Sequence, residues 1–232
     1  MKSILVVLDG SPGGRKAAYT AYDIATRTGA KLIGAALTGL QRQADAEQVL
    51  KEFMTGARAA GVGVTGDHFP SLADAQLAFQ NLPIDAVFIA KDGLNDQSVL
   101  VDWIAQASSP LWIIPDQRDI RRLLALYDDS PAAPEALNKA VDLSRRWQIE
   151  LKLLITKQGI PVEELLPEGG QEGIRLGLQV SLDVDPESLF RQIKAEGTDL
   201  AFVGQPDDVQ TLRELCQGTN CLLAICPALK SS

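Results

Sequence analysis

The sequence predicts an α/β protein of two doubly wound halves, each a mostly parallel five-stranded sheet with helices on both faces. Three observations carry the prediction. Short uncharged apolar runs alternate with segments of helical periodicity. The alternation passes through the chain twice in the same order. Each round opens with a strand that leads into Asp-x-Ser-Pro, first as Asp9-Gly10-Ser11-Pro12 and then as Asp128-Asp129-Ser130-Pro131.

In the first half, residues 4–8 form a continuous apolar run, as expected for a strand buried on both faces. Residues 14–28 place Ala17, Ala18, Ala21, Ile24 and Ala25 at helical spacing, and Gly29 stops the helix. A second strand is expected at 31–37. A helix over 44–60 has Val49, Leu50, Phe53 and Ala57 on one face, and a weaker third strand follows at 62–67. Ser71 caps a helix that runs to residue 82, before Pro83. Residues 86–90, 98–107 and 111–114 complete the round as strand, helix and strand. The second half repeats this with strands at 123–127, 150–155, 174–182, 200–203 and 221–226. Its helices fall at 134–146, 186–196 and 207–217. Its second helix is reduced to a stub around 161–166, between Gly159 and Gly169-Gly170.

The two rounds also match residue by residue. At the spacing that puts Asp9 on Asp128, Ala17 meets Ala136, Ala21 meets Ala140, Asp23 meets Asp142 and Arg27 meets Arg146. Asp85-Ala86-Val87-Phe88-Ile89 answers Asp199-Leu200-Ala201-Phe202-Val203, and Leu111-Trp112-Ile113-Ile114-Pro115 answers Leu223-Ala224-Ile225-Cys226-Pro227. Three matched segments in one order indicate an internal duplication. The expected domains are 1–118 and 119–232, the second degenerate, with a junction at 117–120 too short to act as a free linker.

Composition narrows the function classes. The chain has 232 residues, 46% hydrophobic and 22% charged, with a net charge of −8. Neither half has a basic surplus, so neither a nucleic-acid footprint nor an anionic membrane surface is expected. The first apolar run meets Asp9 too soon for a signal peptide or a membrane span. The expectation is a soluble cytoplasmic protein. Three cysteines, Cys216, Cys221 and Cys226, do not make a disulfide framework. Five residues apart on an expected strand, Cys221 and Cys226 face opposite sides and suit buried thiols better than zinc ligands.

A strand, Asp-Gly-Ser-Pro, an Ala-rich helix and then Gly-Ala-Lys-Leu resemble the start of a universal stress protein domain. The stretch from Asp85 to Ile114, with Ser98-Val99 and Ser109-Pro110, resembles that domain's end. The likeness covers both halves. It implies a Rossmann-like domain of the adenine nucleotide alpha hydrolase type, commonly dimeric through its last strand. In tandem members the two copies form that dimer within one chain. Here residues 111–114 and 221–226 would pair, both apolar runs that an exposed edge would avoid.

Many members of this family bind ATP through a loop after the fourth strand that reads Gly, two residues, Gly, nine residues, then Gly-Ser or Gly-Thr. Such glycines let backbone N–H groups approach phosphate. By resemblance the residual nucleotide site comprises Asp9, Gly10, Ser11, Gly93 and Ser98, with Asp128 in the second half. The loop departs from the family pattern. It is shorter, Gln97 stands in place of the glycine before Ser98, and Asp92 and Asp96 add negative charge. After Val203 only Gly204 survives, followed by Pro206, Asp207 and Asp208. Asp9 and Asp128 can equally serve as turn and cap residues feeding the first helix of each half.

His68, the only histidine, is expected in a loop without a catalytic partner, and Trp103, Trp112 and Trp147 in core or interface positions. No metal site and no cofactor are expected, with ATP the one candidate. The leading expectation is a non-catalytic stress-response protein that acts through protein contacts, with partners unidentified and a homodimer open. The alternatives are a nucleotide sensor or slow ATPase using the first half, and a small-molecule binder whose pocket is rebuilt in the second half.

Overall fold

The computed structural model of the chain describes residues 1–39, 43–79, 82–91, 109–115, 119–128, 130–156, 165, 175–180, 186–206 and 208–228. The chain divides into two compact units, Met1–Gln117 and Arg118–Ser232.

The first unit contains β1 (Ser3–Leu8), α1 (Pro12–Thr28), β2 (Lys31–Leu37), α2 (Gln43–Ala59), β3 (Val64–Phe69), α3 (Leu72–Phe79), β4 (Ala86–Ala90) and β5 (Leu111–Ile114). Its strands lie in the order β3-β2-β1-β4-β5, and all neighbours are parallel. β1 is central, and its Ile4 to Leu8 run is buried throughout. α1 packs on the sheet with small side chains, Ala17, Ala21 and Ala25, which bring its backbone close. Gly29 ends it in the left-handed region, φ 70°, and returns its N–H to the Ala25 carbonyl at 2.8 Å. The helix expected at 98–107, with Trp103, lies outside the described residues.

β3 starts two residues later than the sequence suggests. Residues 61 and 62 are used to close α2: Gly61, at φ 73°, donates to the Arg58 carbonyl and Val62 to the Ala57 carbonyl. The strand therefore takes in His68, which pairs in register with Ala36. This corrects the expectation that His68 occupies a loop. Trp112 is fully buried and stacks on its ladder partner Phe88 with ring centroids 4.8 Å apart, so it is a core residue.

The second unit contains β6 (Arg122–Tyr127), α4 (Ala133–Trp147), β7 (Glu150–Ile155), β8 (Leu176–Val180), α5 (Pro186–Ala195), β9 (Leu200–Gly204), α6 (Val209–Gly218) and β10 (Leu222–Cys226). The order is β10-β9-β6-β7-β8, again all parallel. Counted from the first strand of each unit, both strand orders read third, second, first, fourth, fifth. The matched residues Asp85 and Asp199 also do the same work. Asp85 accepts the N–H groups of Lys2 and Ser3, and Asp199 accepts those of Arg121 and Arg122, so each fixes the start of its unit's first strand.

β10 begins at Leu222, so Cys221 precedes the strand rather than lying on it. Thr219 holds it there, with its Oγ1 3.3 Å from the Cys221 Sγ. All three cysteines are buried, and none is in a disulfide among the described residues. The stub expected at 161–166 falls outside the described residues apart from Leu165, as do the expected ends of β8 at 174 and 181–182.

One difference between the units concerns the second strand pair. Gly34 and Gly66 are register partners beneath α2. A Cβ on Gly34 would come within 2.8 Å of the Phe53 ring, and one on Gly66 within 2.7 Å of Leu50. Their absence of side chains lets α2 close on the sheet. The corresponding partners in the second unit are Leu153 and Leu178. Leu153 is buried, while Leu178 and Val180 are more than half exposed on one face of β8.

Candidate functional site

β1 delivers Asp9 to the carboxyl edge of its sheet. There β1 lies between β2 and β4, whose connections leave in opposite directions, the point at which open α/β sheets bind ligands. Gly10 turns the chain at φ 76°. Asp9 Oδ1 then accepts two hydrogen bonds from Ser11, from its N–H at 3.0 Å and its hydroxyl at 2.8 Å. The Ser11 hydroxyl oxygen in turn accepts the Gly14 N–H at 2.9 Å and caps α1, with Pro12 in the first turn. The carboxylate sits so close to the helix that a Cβ on Gly14 would lie 2.3 Å from Oδ1. One oxygen of Asp9 is thus committed to the turn. The structure brings Asp9, Gly10 and Ser11 together; Gly93 and Ser98 lie outside the described residues.

The Asp128 turn keeps half of this arrangement. Asp128 Oδ1 accepts the Ser130 N–H at 3.1 Å. Ser130 does not cap the helix: α4 follows Ala132, which makes no side-chain cap. The Ser130 hydroxyl is instead buried without a hydrogen-bond partner among the described residues. Gly204, at the end of the adjacent strand β9, is pressed against this turn. A Cβ there would stand 2.8 Å from Ser130 Oγ, 2.9 Å from the Ala133 nitrogen and 3.0 Å from the Ala132 carbonyl carbon. At the matching position the first unit has Ala90, whose side chain is accommodated. Backbone therefore occupies the space beside Gly204 in the second unit.

Next to Gly10 and Ser11, α1 and α2 enclose a cavity of about 90 Å³. Its walls include Tyr19, Tyr22 and Phe53, and the Arg15–Glu52 pair, 4.0 Å apart, stands at its rim. Tyr22 fits because residue 56 is glycine; a Cβ there would be 2.8 Å from its hydroxyl oxygen. That hydroxyl donates to the Phe53 carbonyl at 2.9 Å. Burial, with Tyr19 nearby, pushes the Tyr22 phenol up to about 12. Sequence reasoning missed this cavity. Its only trace is a glycine inside the α2 pattern, a position where a helix loses stability unless packing requires it.

His68 Nε2 is buried without a hydrogen-bond partner among the described residues, and its Nδ1 lies 3.9 Å from Asp67. Among the described residues no three His, Cys, Asp or Glu side chains are placed to hold a metal ion, and no helix is long and apolar enough to cross a membrane. Burial raises the Cys226 thiol far above the ordinary range, the mark of a packed rather than a reactive cysteine.

No family model and no curated protein matches the sequence. Solved structures do match the fold. A universal stress protein from Archaeoglobus fulgidus DSM 4304 superposes with a TM-score of 0.75 at 17% identity, covering 97% of this chain and 96% of that one. A protein of unknown function from Pseudomonas aeruginosa PAO1 gives 0.66 at 13% identity, over 98% and 93% of the two chains. A candidate universal stress protein from Pseudomonas aeruginosa UCBPP-PA14 gives 0.65 at 13%, over the same shares. Over nearly its full length the chain has the fold of these proteins.

Proposed function

We propose that this chain, which carries the universal stress protein fold over nearly its full length, is a tandem, non-catalytic cytoplasmic member of that family. It acts through protein contacts, and nucleotide binding is weak or lost. The observation that carries the reading is the use made of the two Asp turns. In the first unit one Asp9 oxygen is held by Ser11. In the second, the Ser130 hydroxyl and the Ala132–Ala133 backbone fill the space beside Gly204. Shortening of the family's phosphate loop, with Asp92 and Asp96 in it, supports the same conclusion. Exposed Leu178 and Val180 support a role in protein contacts.

Calorimetric titration of the whole chain with ATP and Mg²⁺ tests this. The expected result is no saturable heat in the micromolar range. Micromolar binding that disappears in Asp9→Ala would overturn it. It would establish the second reading, a nucleotide sensor or slow ATPase in the first unit. That reading is favoured by Asp9 Oδ2, which has no hydrogen-bond partner among the described residues and sits where such sheets take ligands.

A further inference from the structure

The second unit holds an open cavity of about 510 Å³ where α5 and α6 end, at the amino edge of β9 and β10. This is the opposite edge of the sheet from the Asp128 turn, so the proposed function makes no use of it. Its volume is within the usual range for small-molecule pockets, roughly 300–1,000 Å³. The apolar part is formed by Phe190, Ile193 and Cys221. Phe190 is fixed by Gly218, where a Cβ would lie 2.3 Å from the ring.

The polar part is distinctive. Thr198 lines the cavity and is 5% exposed, which places a buried hydroxyl-bearing residue in its wall. Arg191 and Lys194, one turn apart on α5, stand exposed at the mouth. Arg191 donates to the Ser188 hydroxyl at 3.0 Å, and among the described residues neither cation is paired with a carboxylate. The one acid in the lining, Asp199, is held by the N–H groups of Arg121 and Arg122, each at 3.0 Å. The last carbonyls of α5 are closed by Gly197 and Thr198, which donate to Lys194 and Ile193. The lining thus carries two cations, Arg191 and Lys194, against one carboxylate, Asp199.

We propose that this cavity binds a small organic anion, a carboxylate or phosphate monoester with a ring or branched apolar body. The body lies against Phe190 and Ile193, and the anionic head takes hydrogen bonds from Arg191, Lys194 and the Thr198 hydroxyl.

The test is a ¹⁵N-amide NMR titration of the whole chain with benzoate and phenyl phosphate as probes, and with benzylamine and benzyl alcohol as cationic and neutral controls. The expected result is saturable shifts at Gly197, Thr198, Thr219 and Asn220 with at least one anion and none with benzylamine. Arg191→Gln/Lys194→Gln, both exposed, should weaken binding about tenfold, and Thr198→Val should weaken it with the amide spectrum otherwise retained. Absence of saturable shifts there with both anions, an equal response to benzylamine, or affinity unchanged in both variants overturns the proposal. The ATP titration reports on the other edge of the sheet and on the first unit, so either experiment can fail without the other.

Discussion

Gly34 lies directly under Phe53: a β-carbon on the glycine would reach within 2.8 Å of the aromatic ring. Phe53 is buried, so it has no room to withdraw. Gly34→Ala should therefore overpack the seam between β2 and α2 and destabilise the first unit by about 1–3 kcal/mol. Urea unfolding followed by circular dichroism checks this. An unchanged midpoint would mean that α2 is not seated on the sheet as described.

The same seam shows what the sequence discloses and what it hides. The succession of strands and helices in both units follows from apolar runs and helical periodicity, because a strand buried on both faces must be apolar along its whole length. The duplicated Asp85 and Asp199 were legible as a match, and both turn out to fix a first strand. The glycines at 34, 56 and 66 were not legible. A glycine in a strand or helix reads as a weak point until its neighbour is known, and those neighbours, Phe53, Tyr22 and Leu50, come from other elements. His68 was misplaced for a similar reason: the turn that closes α2 takes up residues 61 and 62 and shifts the strand toward the carboxyl end. Of the candidate site, Asp9 and Ser11 were found by their motif. That Oδ1 is held by Ser11 depends on a turn geometry set by Gly10 and on the absence of a side chain at Gly14.

Ser11 both caps α1 and holds Asp9. Ser11→Ala should cost about 1 kcal/mol, and Ser11→Gly only a few tenths, since glycine is tolerated at an N-cap. Asp9→Asn keeps an oxygen that can accept the Ser11 N–H and should leave the unfolding midpoint nearly unchanged. Thermal unfolding of the three variants separates these outcomes. A large loss in Asp9→Asn would show that the negative charge, not the turn, is what the position requires.

Tyr22 gives the first unit an alkaline sensitivity. Its folded phenol is raised from 10.0 to about 12, chiefly by burial. A raised value in the folded state means that the contribution is fully present below 10 and is lost as the pH climbs toward 12. Tyr22→Phe removes that slope. At neutral pH it should be less stable by about 1 kcal/mol, from loss of the hydrogen bond to the Phe53 carbonyl. The buried Cys226 thiol, also raised, adds its own loss from about 9 upward. The readout is therefore the difference between wild type and Tyr22→Phe, measured by denaturant unfolding at neutral pH and just above 10. A difference that stays constant with pH would contradict the burial of Tyr22.

Gly204 and Ala90 offer a reciprocal comparison at the ends of the two fourth strands. A methyl group on Gly204 meets the Ala133 nitrogen at 2.9 Å and the Ala132 carbonyl carbon at 3.0 Å, both backbone atoms that cannot swing aside. Gly204→Ala should therefore push the Asp128 turn and the start of α4 away from β9, at a cost of about 1–3 kcal/mol. Ala90→Gly removes only a buried methyl, so it should cost no more than about 1–2 kcal/mol, from lost burial and added chain freedom. Amide hydrogen exchange distinguishes the two substitutions by location. In Gly204→Ala, protection should fall at Ala133 and Ala136, whose N–H groups close the first turn on Ser130 and Ala132. In Ala90→Gly those amides should exchange as in the parent chain. Retained protection in Gly204→Ala would mean that the second turn has slack, and with it room for a ligand beside β9. That outcome would remove the second unit's part of the case against nucleotide binding.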